Sequence, residues 1–470
     1  MENKIEKKGY ALVFKKAFCL LLSLVMLFSI AACIDLSAYA ATSEDYEYEI
    51  LDDGTVEITK YLGSDSIVSI PSAIDGKQVT SIGGYAFSKR TDLTHVTIKY
   101  GVKNIALYAF SDCTGLTNIT LPDSVTSIGY MAFYDCENLA SITLPNSITS
   151  ISQHAFTNTA YYNNQSNWSD GVLYIGNYLI KADEDVVSGT YSIKNGTTLI
   201  AVEAFLRCRN LTSIIIPNSI ISIDPDSFYD CYSLKSFIVN PNNKYYSSED
   251  GVLYNIDQTE IIRFPISKTS TTFTIPSNVT SIGASAFSYC RITGITIPDS
   301  VINIGDSAFA LCDSLTSVKI PNSVTSIGDR AFSYCSGLTS ITIPNSVKSL
   351  GASAFSNCKN LASITMPDKI SSIGYSSFSN TAYYNDQSNW NKGVLYIGAC
   401  LIKADNKVIS GVYSIKIGTT IIADSAFSSC QNLTGVILPN SVTSICKRAF
   451  SSCKNLASVT IPNSVTSIGD

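Results

Sequence analysis

The sequence predicts a repeat solenoid of the α/β type, mostly β, in which short coils stack and each buries its apolar side on the next. Three observations predict it. The phrase LTSITIPNSVKSLGASAFSNC (residues 338–358) follows LTSVKIPNSVTSIGDRAFSYC (315–335) at an offset of 23, and versions of it recur along most of the chain. Thirteen phenylalanines mark one register: Phe87, Phe110, Phe133, Phe156, Phe205, Phe228, Phe287, Phe309, Phe332, Phe355, Phe378, Phe427 and Phe450. Neighbours in that series are 23 apart, except for one gap of 22, two of 49 and one of 59, which the reading assigns to two repeats plus an insertion.

Within a unit, Leu338, Ile341 and Ile343 follow L-x-x-I-x-I, the alternation of a short strand with its apolar side inward. Pro344 follows at once and cannot donate to a ladder, so the strand ends there; eleven of the 14 prolines hold this slot. Val347 and Leu350 turn inward on the opposite wall. Gly351 sits in a slot held elsewhere by Ala106, Ser152, Asp224 or Cys446, so the backbone there does not require glycine's freedom. Ala354 and Phe355 close the unit on a short helical turn, with Phe as the largest core plug. Stacked in this way, the strands predict one parallel sheet, with strands roughly 4.8 Å apart.

The pattern L-x-x-I-x-I-P-x-S-V-x-x-I-G-x-x-A-F-x-x-C resembles the Treponema-type leucine-rich repeat of the BspA-like bacterial surface proteins, over residues 67–470. The resemblance implies a right-handed leucine-rich-repeat solenoid, display at the cell surface or secretion, and adhesion or protein binding. It implies no catalytic motif, and no binding residue carries over position by position.

Other segments frame the array. Residues 1–41 read as a signal peptide: Lys4, Lys7, Lys8, Lys15 and Lys16 precede an apolar run (17–33) and the small-x-small Ala38-Tyr39-Ala40, with cleavage after Ala40. An uncleaved anchor and a lipoprotein modified at Cys33 are the rival readings, and no later segment could span a bilayer. Residues 42–66 alternate on either side of Asp53-Gly54, a hairpin signal, and are expected to cap the first coil. Insertions are expected at about 157–200, 236–270 and 379–422. Two of them are near-copies, FTNTAYYNNQSNWSDGVLYIGNYLIKAD and FSNTAYYNDQSNWNKGVLYIGACLIKAD, and share an offset of 222 with Phe87/Phe309 and Phe228/Phe450. A block of repeats was therefore duplicated whole. The text stops at SIGD, before the Ala-Phe of another unit, which suggests a fragment of a longer protein.

Composition narrows the function classes. Hydrophobic residues, at 45%, suffice for a core; charged residues make up 15%, the net charge is −6, and no basic stripe exists to hold nucleic acid. Ten of 14 cysteines stand three residues after a register Phe (Cys113, Cys136, Cys208, Cys231, Cys290, Cys312, Cys335, Cys358, Cys430, Cys453), which predicts a ladder of buried thiols rather than disulfides or a metal site. Arg90, Thr159 and Thr381 replace that cysteine where the flanking text departs from the repeat. His95 and His154 occupy different walls, Ser451 and Lys454 spell S-x-x-K by chance in a serine-rich chain, and the Asp183-Glu184-Asp185 cluster becomes Asp405-Asn406-Lys407 in its twin. No catalytic constellation emerges and no cofactor is implied.

Two sets of residues remain as ligand-binding candidates. One is the outward column of the strands, Thr97, Thr120, Thr143, Thr296, Lys319, Thr342, Thr365 and Thr460, whose hydroxyls also suit a solvated strand. The other comprises the insertion aromatics Tyr161, Tyr162, Trp168, Tyr383, Tyr384 and Trp390, which could equally form the hairpins' own core. The expected function is a non-enzymatic, exported binding protein that adheres to proteins or glycans on host or neighbouring cells. A targeting module of a longer surface enzyme continuing past residue 470 and a structural spacer are the alternatives.

Overall fold

A computed structural model describes residues 43–470; the segment read as a signal peptide, with Cys33 and the Ala40 boundary, lies outside the described residues. The described residues form two compact units, 43–167 and 168–470, and the division falls inside the first insertion. Each is a stack of parallel coils, mostly β.

Where the repeat text predicts one sheet, each coil contributes to two. The L-x-x-I-x-I segments pair as expected: Ile67–Ile70 with His95–Ile98 and then Asn118–Thr120 in the first unit, and Ser340–Thr342 with Ser363–Thr365 in the second. The S-I dipeptides on the other wall form the longer ladder. Ser281–Ile282, Asn303–Ile304, Ser326–Ile327, Ser349–Leu350 and Ser372–Ile373 pair in strict register within one eight-stranded sheet. Serine or asparagine faces out and the aliphatic residue is buried, which is period-two alternation compressed into two residues.

Close packing explains the glycine that follows. Gly351 has no positive φ. A Cβ there would lie 2.3 Å from the carbonyl carbon of Gly328 and 2.4 Å from the nitrogen of Asp329. The slot therefore favours glycine because two backbones come close there.

The expected helical turn at Ala-Phe is absent. Residues two before and two after the register Phe instead adopt left-handed φ, as in Ser353 (56°) and Asn357 (61°) around Phe355. From Phe355 onward successive N–H groups point in turn to the next coil and back into their own. Ser353, Phe355 and Asn357 donate their N–H groups to Tyr375, Ser377 and Ser379 of the next coil, each at 2.8 Å, while Ser356 and Cys358 donate back within their own coil. A helix directs every N–H along its own axis and could not reach a neighbouring coil in this way. Left-handed backbone costs on the order of 1–2 kcal/mol per residue, and the inter-coil bonds offset it.

Phenylalanine rings fill the space inside this corner. Phe287, Phe309, Phe332, Phe355 and Phe378 stack with centroids 5.0, 5.0, 5.1 and 5.8 Å apart. Phe87, Phe110, Phe133 and Phe156 do the same at 4.9, 5.4 and 5.5 Å in the first unit. Each such pair adds roughly 0.5–1.5 kcal/mol beyond burial.

All the cysteines of residues 43–470 are free, and those of the ladder are buried except for Cys453, which is partly covered. Their recurrence has a local cause. Cys358 donates its S–H to the Phe332 carbonyl at 3.0 Å, and that carbonyl already accepts the N–H of Cys335 at 3.3 Å. The same bond joins Cys113 to Phe87, Cys136 to Phe110 and Cys335 to Phe309, each at 3.1 Å. A thiol thus fills the second lone pair of a buried carbonyl. Thr159 and Thr381 replace it where the chain must start a helix. Thr381 is fully buried; its hydroxyl donates to Phe378 O at 2.9 Å and accepts from Tyr384 N at 3.0 Å, capping the helix Ala382–Asn385.

Antiparallel hairpins head the S-I ladders. Tyr46–Ile50 pairs with Val56–Tyr61, whose Ile58 then pairs in parallel with Ile82. Tyr61 extends the ring stack, 5.2 Å from Phe87. The insertions repeat this arrangement: Val172–Ile175 with Tyr178–Ala182, Val252–Asn255 with Glu260–Arg263, and Val394–Ile397 with Cys400–Ala404. In each, the later strand opens a new parallel ladder. The insertions and the N-terminal hairpin therefore share one pairing arrangement.

Four outcomes are expected. Gly351→Val overpacks the coil junction and lowers stability by about 1–3 kcal/mol; an unchanged urea midpoint would refute the close approach. Thr381→Val, which keeps the shape and loses the cap, costs ~1 kcal/mol in the same measurement. Burial pushes the thiols of Cys113, Cys208, Cys290 and Cys358 from 9.0 up to about 12. The folded state thus holds these protons more tightly than the unfolded chain, so stability is retained up to about pH 9 and falls as pH rises toward 12. At pH 8 a thiol reagent modifies Cys453 before the rest of the ladder; uniform labelling would contradict the burial.

Candidate functional site

Two outward walls are available, and the strand wall carries the candidates read from sequence. Thr120, Thr143, Thr296, Lys319, Thr342, Thr365 and Thr460 are exposed and Thr97 is half-buried. Strand register brings them into columns: Ser69, Thr97 and Thr120 align in the first unit, and Thr274 with Thr296 and Thr342 with Thr365 in the second. Thr143 lies beyond the last paired strand of its column. An open groove of about 660 Å³ follows the second-unit column, lined by Lys319, Asn322, Thr342, Asn345, Thr365 and Asp368. Its rim is ordered by Asn345, whose Oδ1 accepts the Asp368 N–H at 2.9 Å. A first-unit groove of about 420 Å³ is lined by Asn118, Thr120, Asp123, Ser141, Thr143 and Asn146.

Sequence reasoning missed the S-I-G wall. In the second unit it holds a recess of about 750 Å³, along the outward column Ser281, Asn303, Ser326, Ser349 and Ser372, with Glu260, Asp306, Asp329, Asp424 and Lys447 around it. Asp306 accepts the Asp329 N–H at 2.8 Å, and Asp329 accepts the Ala352 N–H at 2.7 Å, so these carboxylates also fasten one coil to the next. Burial raises the Glu260 carboxyl above its ordinary value. The signal was present as the S before each I-G, a polar residue alternating with a buried one.

The insertion aromatics are half-buried. In the second copy they are engaged: Trp390 Nε1 donates to Tyr384 O at 2.8 Å, Tyr383 Oη donates to Tyr396 O at 3.1 Å, and the Tyr384 and Trp390 rings meet edge to face at 5.3 Å. All three pack against the core. In the first copy, Tyr161 and Tyr162 fall in the first unit and Trp168 in the second; Thr159 caps Ala160–Asn163, and Tyr161 O accepts from Asn167.

Histidine and carboxylate clusters do not converge. His95 is exposed with Nδ1 3.1 Å from Thr94 Oγ1, and His154 Nδ1 lies 3.2 Å from Thr157 Oγ1. Asp183 turns its carboxylate onto the N–H of Asp185. Among the described residues no group of three or more His, Cys, Asp or Glu side chains is placed to hold a metal, and no helix is long and apolar enough to cross a membrane.

No curated protein matches the chain. Among solved structures, a leucine-rich cell surface protein from Faecalibacterium prausnitzii is 27% identical, with 74% of this chain and 93% of that one covered and a TM-score of 0.40. A leucine-rich repeat protein from Eubacterium ventriosum is 23% identical over 91% of each chain, with a TM-score of 0.33. One from Bacteroides ovatus is 24% identical over 90% of this chain and 89% of that one, with a TM-score of 0.26. The BspA type leucine-rich repeat region matches in six copies over residues 64–187, 188–271, 266–385 and 412–470. With its coil stack, Phe register and thiol ladder, the chain belongs to the BspA type leucine-rich repeat family.

Proposed function

We propose that this protein is exported and works by binding, adhering through its polar outer walls to proteins or glycans on a host or neighbouring-cell surface. The observation that carries this reading is the exposed Thr296–Lys319–Thr342–Thr365 column, a broad and weakly charged strip beside an open groove, on a scaffold that spends its apolar residues on coil contacts. Such a strip offers many equivalent hydrogen-bonding positions and no enclosed pocket, which suits a large partner better than a small molecule. Export is supported by the basic and apolar start with Ala38-Tyr39-Ala40, and by family membership. The half-buried insertion aromatics contribute through the packing of their hairpins, so the columns are the primary ligand-facing residues.

Residues 43–470, applied to arrays of matrix proteins, glycans and intact cells, should be captured by at least one of them. The triple variant Lys319→Ala/Thr342→Ala/Thr365→Ala should keep its melting temperature and lose roughly tenfold in affinity, equivalent to ~1.4 kcal/mol. Capture by none of these surfaces would sink the adhesion reading. Undiminished capture of the triple variant would move the site off this column.

A further inference from the structure

The duplicated block supplies an internal comparison for one wall of the first unit. Positions related by the offset of 222 keep the core unchanged: Phe87/Phe309, Phe110/Phe332, Phe133/Phe355, Phe156/Phe378, Cys113/Cys335 and Cys136/Cys358. They differ on the surface beside the Phe corner. Tyr85, Tyr108, Tyr130 and His154 stand where the second copy has Ser307, Arg330, Ala352 and Ser376.

Backbone conformation does not demand the aromatics. Tyr85 and Ser307 have φ of 61° and 54°, Tyr108 and Arg330 54° and 53°, and His154 and Ser376 58° and 56°. Bulky side chains are uncommon at such angles. The rings nevertheless form a continuous row over four coils. Tyr85 stacks flat on Tyr108 at 4.8 Å, Tyr108 meets Tyr130 edge-on at 5.4 Å, and Tyr130 meets His154 at 6.3 Å. Tyr85 is 57% exposed and the adjacent Leu107 47%, so the row borders solvent rather than sealing a core.

Polar side chains flank it on both sides. On the S-I side, Ser81 donates to Glu57, Asn104 to Ser81 and Ser127 to Asn104, at 2.7, 3.1 and 2.7 Å. On the other, Lys89, Asp112, Asp135 and Asn158 follow the register Phe, and Asn158 donates to Asp135 at 2.8 Å. The row shows solvent the exposed Tyr85 ring and the half-buried Tyr108, Tyr130 and His154 rings, and such an aromatic strip bordered by amides, hydroxyls and carboxylates matches a sugar chain, which presents C–H groups on its ring faces and hydroxyls at their edges. A lone lysine beside two aspartates opposes a polyanion, so the charge balance favours a neutral chain.

We infer that the Tyr85–Tyr108–Tyr130–His154 row is a stacking platform for a neutral polysaccharide. This deepens the adhesion reading and rests on it, with the ligand class and the wall now specified.

The test is electrophoresis of residues 43–470 at pH 8 through gels containing xylan, galactomannan, mixed-linkage β-glucan or starch, with polygalacturonate and heparin as polyanions. The platform predicts retardation by at least one neutral polysaccharide. Exchange to the second copy's residues, Tyr85→Ser/Tyr108→Arg/Tyr130→Ala, should weaken it at least tenfold while the variant melts cooperatively, because those residues already occupy folded coils of the same backbone. Tyr108→Phe should stay within about threefold of the parent, since the ring face is retained. No retardation by any neutral polysaccharide, retardation by the polyanions alone, or an exchanged variant held as strongly as the parent would each overturn the inference. A chain that captures cells or matrix proteins yet runs freely in all neutral gels sinks the platform and leaves the adhesion reading standing; failure in both assays sinks both.

Discussion

The hand-off of backbone hydrogen bonds between coils at the Phe corner is the constraint on which the rest of the structure depends. Parallel strands only two or three residues long cannot hold a stack together by themselves. The corner, with a left-handed residue two before and two after each Phe, supplies further bonds per coil, and these fix the same spacing that the S-I ladder and the stacked rings require. Once that distance is set, several sequence features follow from it. Glycine follows the S-I pair because the backbones meet there, the rings lie nearly parallel, and a thiol reaches the carbonyl one coil back.

Much of this was legible in sequence. Period and register came from Phe spacing, strand ends from proline, and buried reduced thiols from one cysteine per coil. Two features were not. A two-residue strand such as Ser349–Leu350 lies below any periodicity signal and exists only because its neighbours stack beside it. The helical expectation at Ala354-Phe355 failed because local propensity does not encode the bond partners in the next coil. The hairpins show a subtler limit: DGVLYIGN and DGVLYNID share the text DGVLY, whereas DDGTVEIT has only a turn and alternation in common with them, so its likeness to the insertions became visible only from the strands it pairs with.

Candidate binding residues were legible to different degrees. The threonine column follows from alternation alone, since a residue between two buried aliphatics must point out. The S-I-G recess and the first-unit tyrosine row were hidden, because both depend on which slots of successive coils come together at a corner. In a repeat protein the core text is nearly constant, so ligand chemistry is written in the variable slots, and these read as noise until the coils are superimposed. Tyr85 against Ser307 and Tyr108 against Arg330 are such slots.

The recurring hairpins bear on how such a chain can change over generations. A run of coils that begins with its own lid can be copied, moved or deleted as a cassette without leaving a raw apolar end facing water. The 222-residue offset has the footprint of one such copying event, with lids carried along at the joints. Length thus becomes cheap to vary, and each new copy is free to drift on its surface while its parent keeps the older specificity.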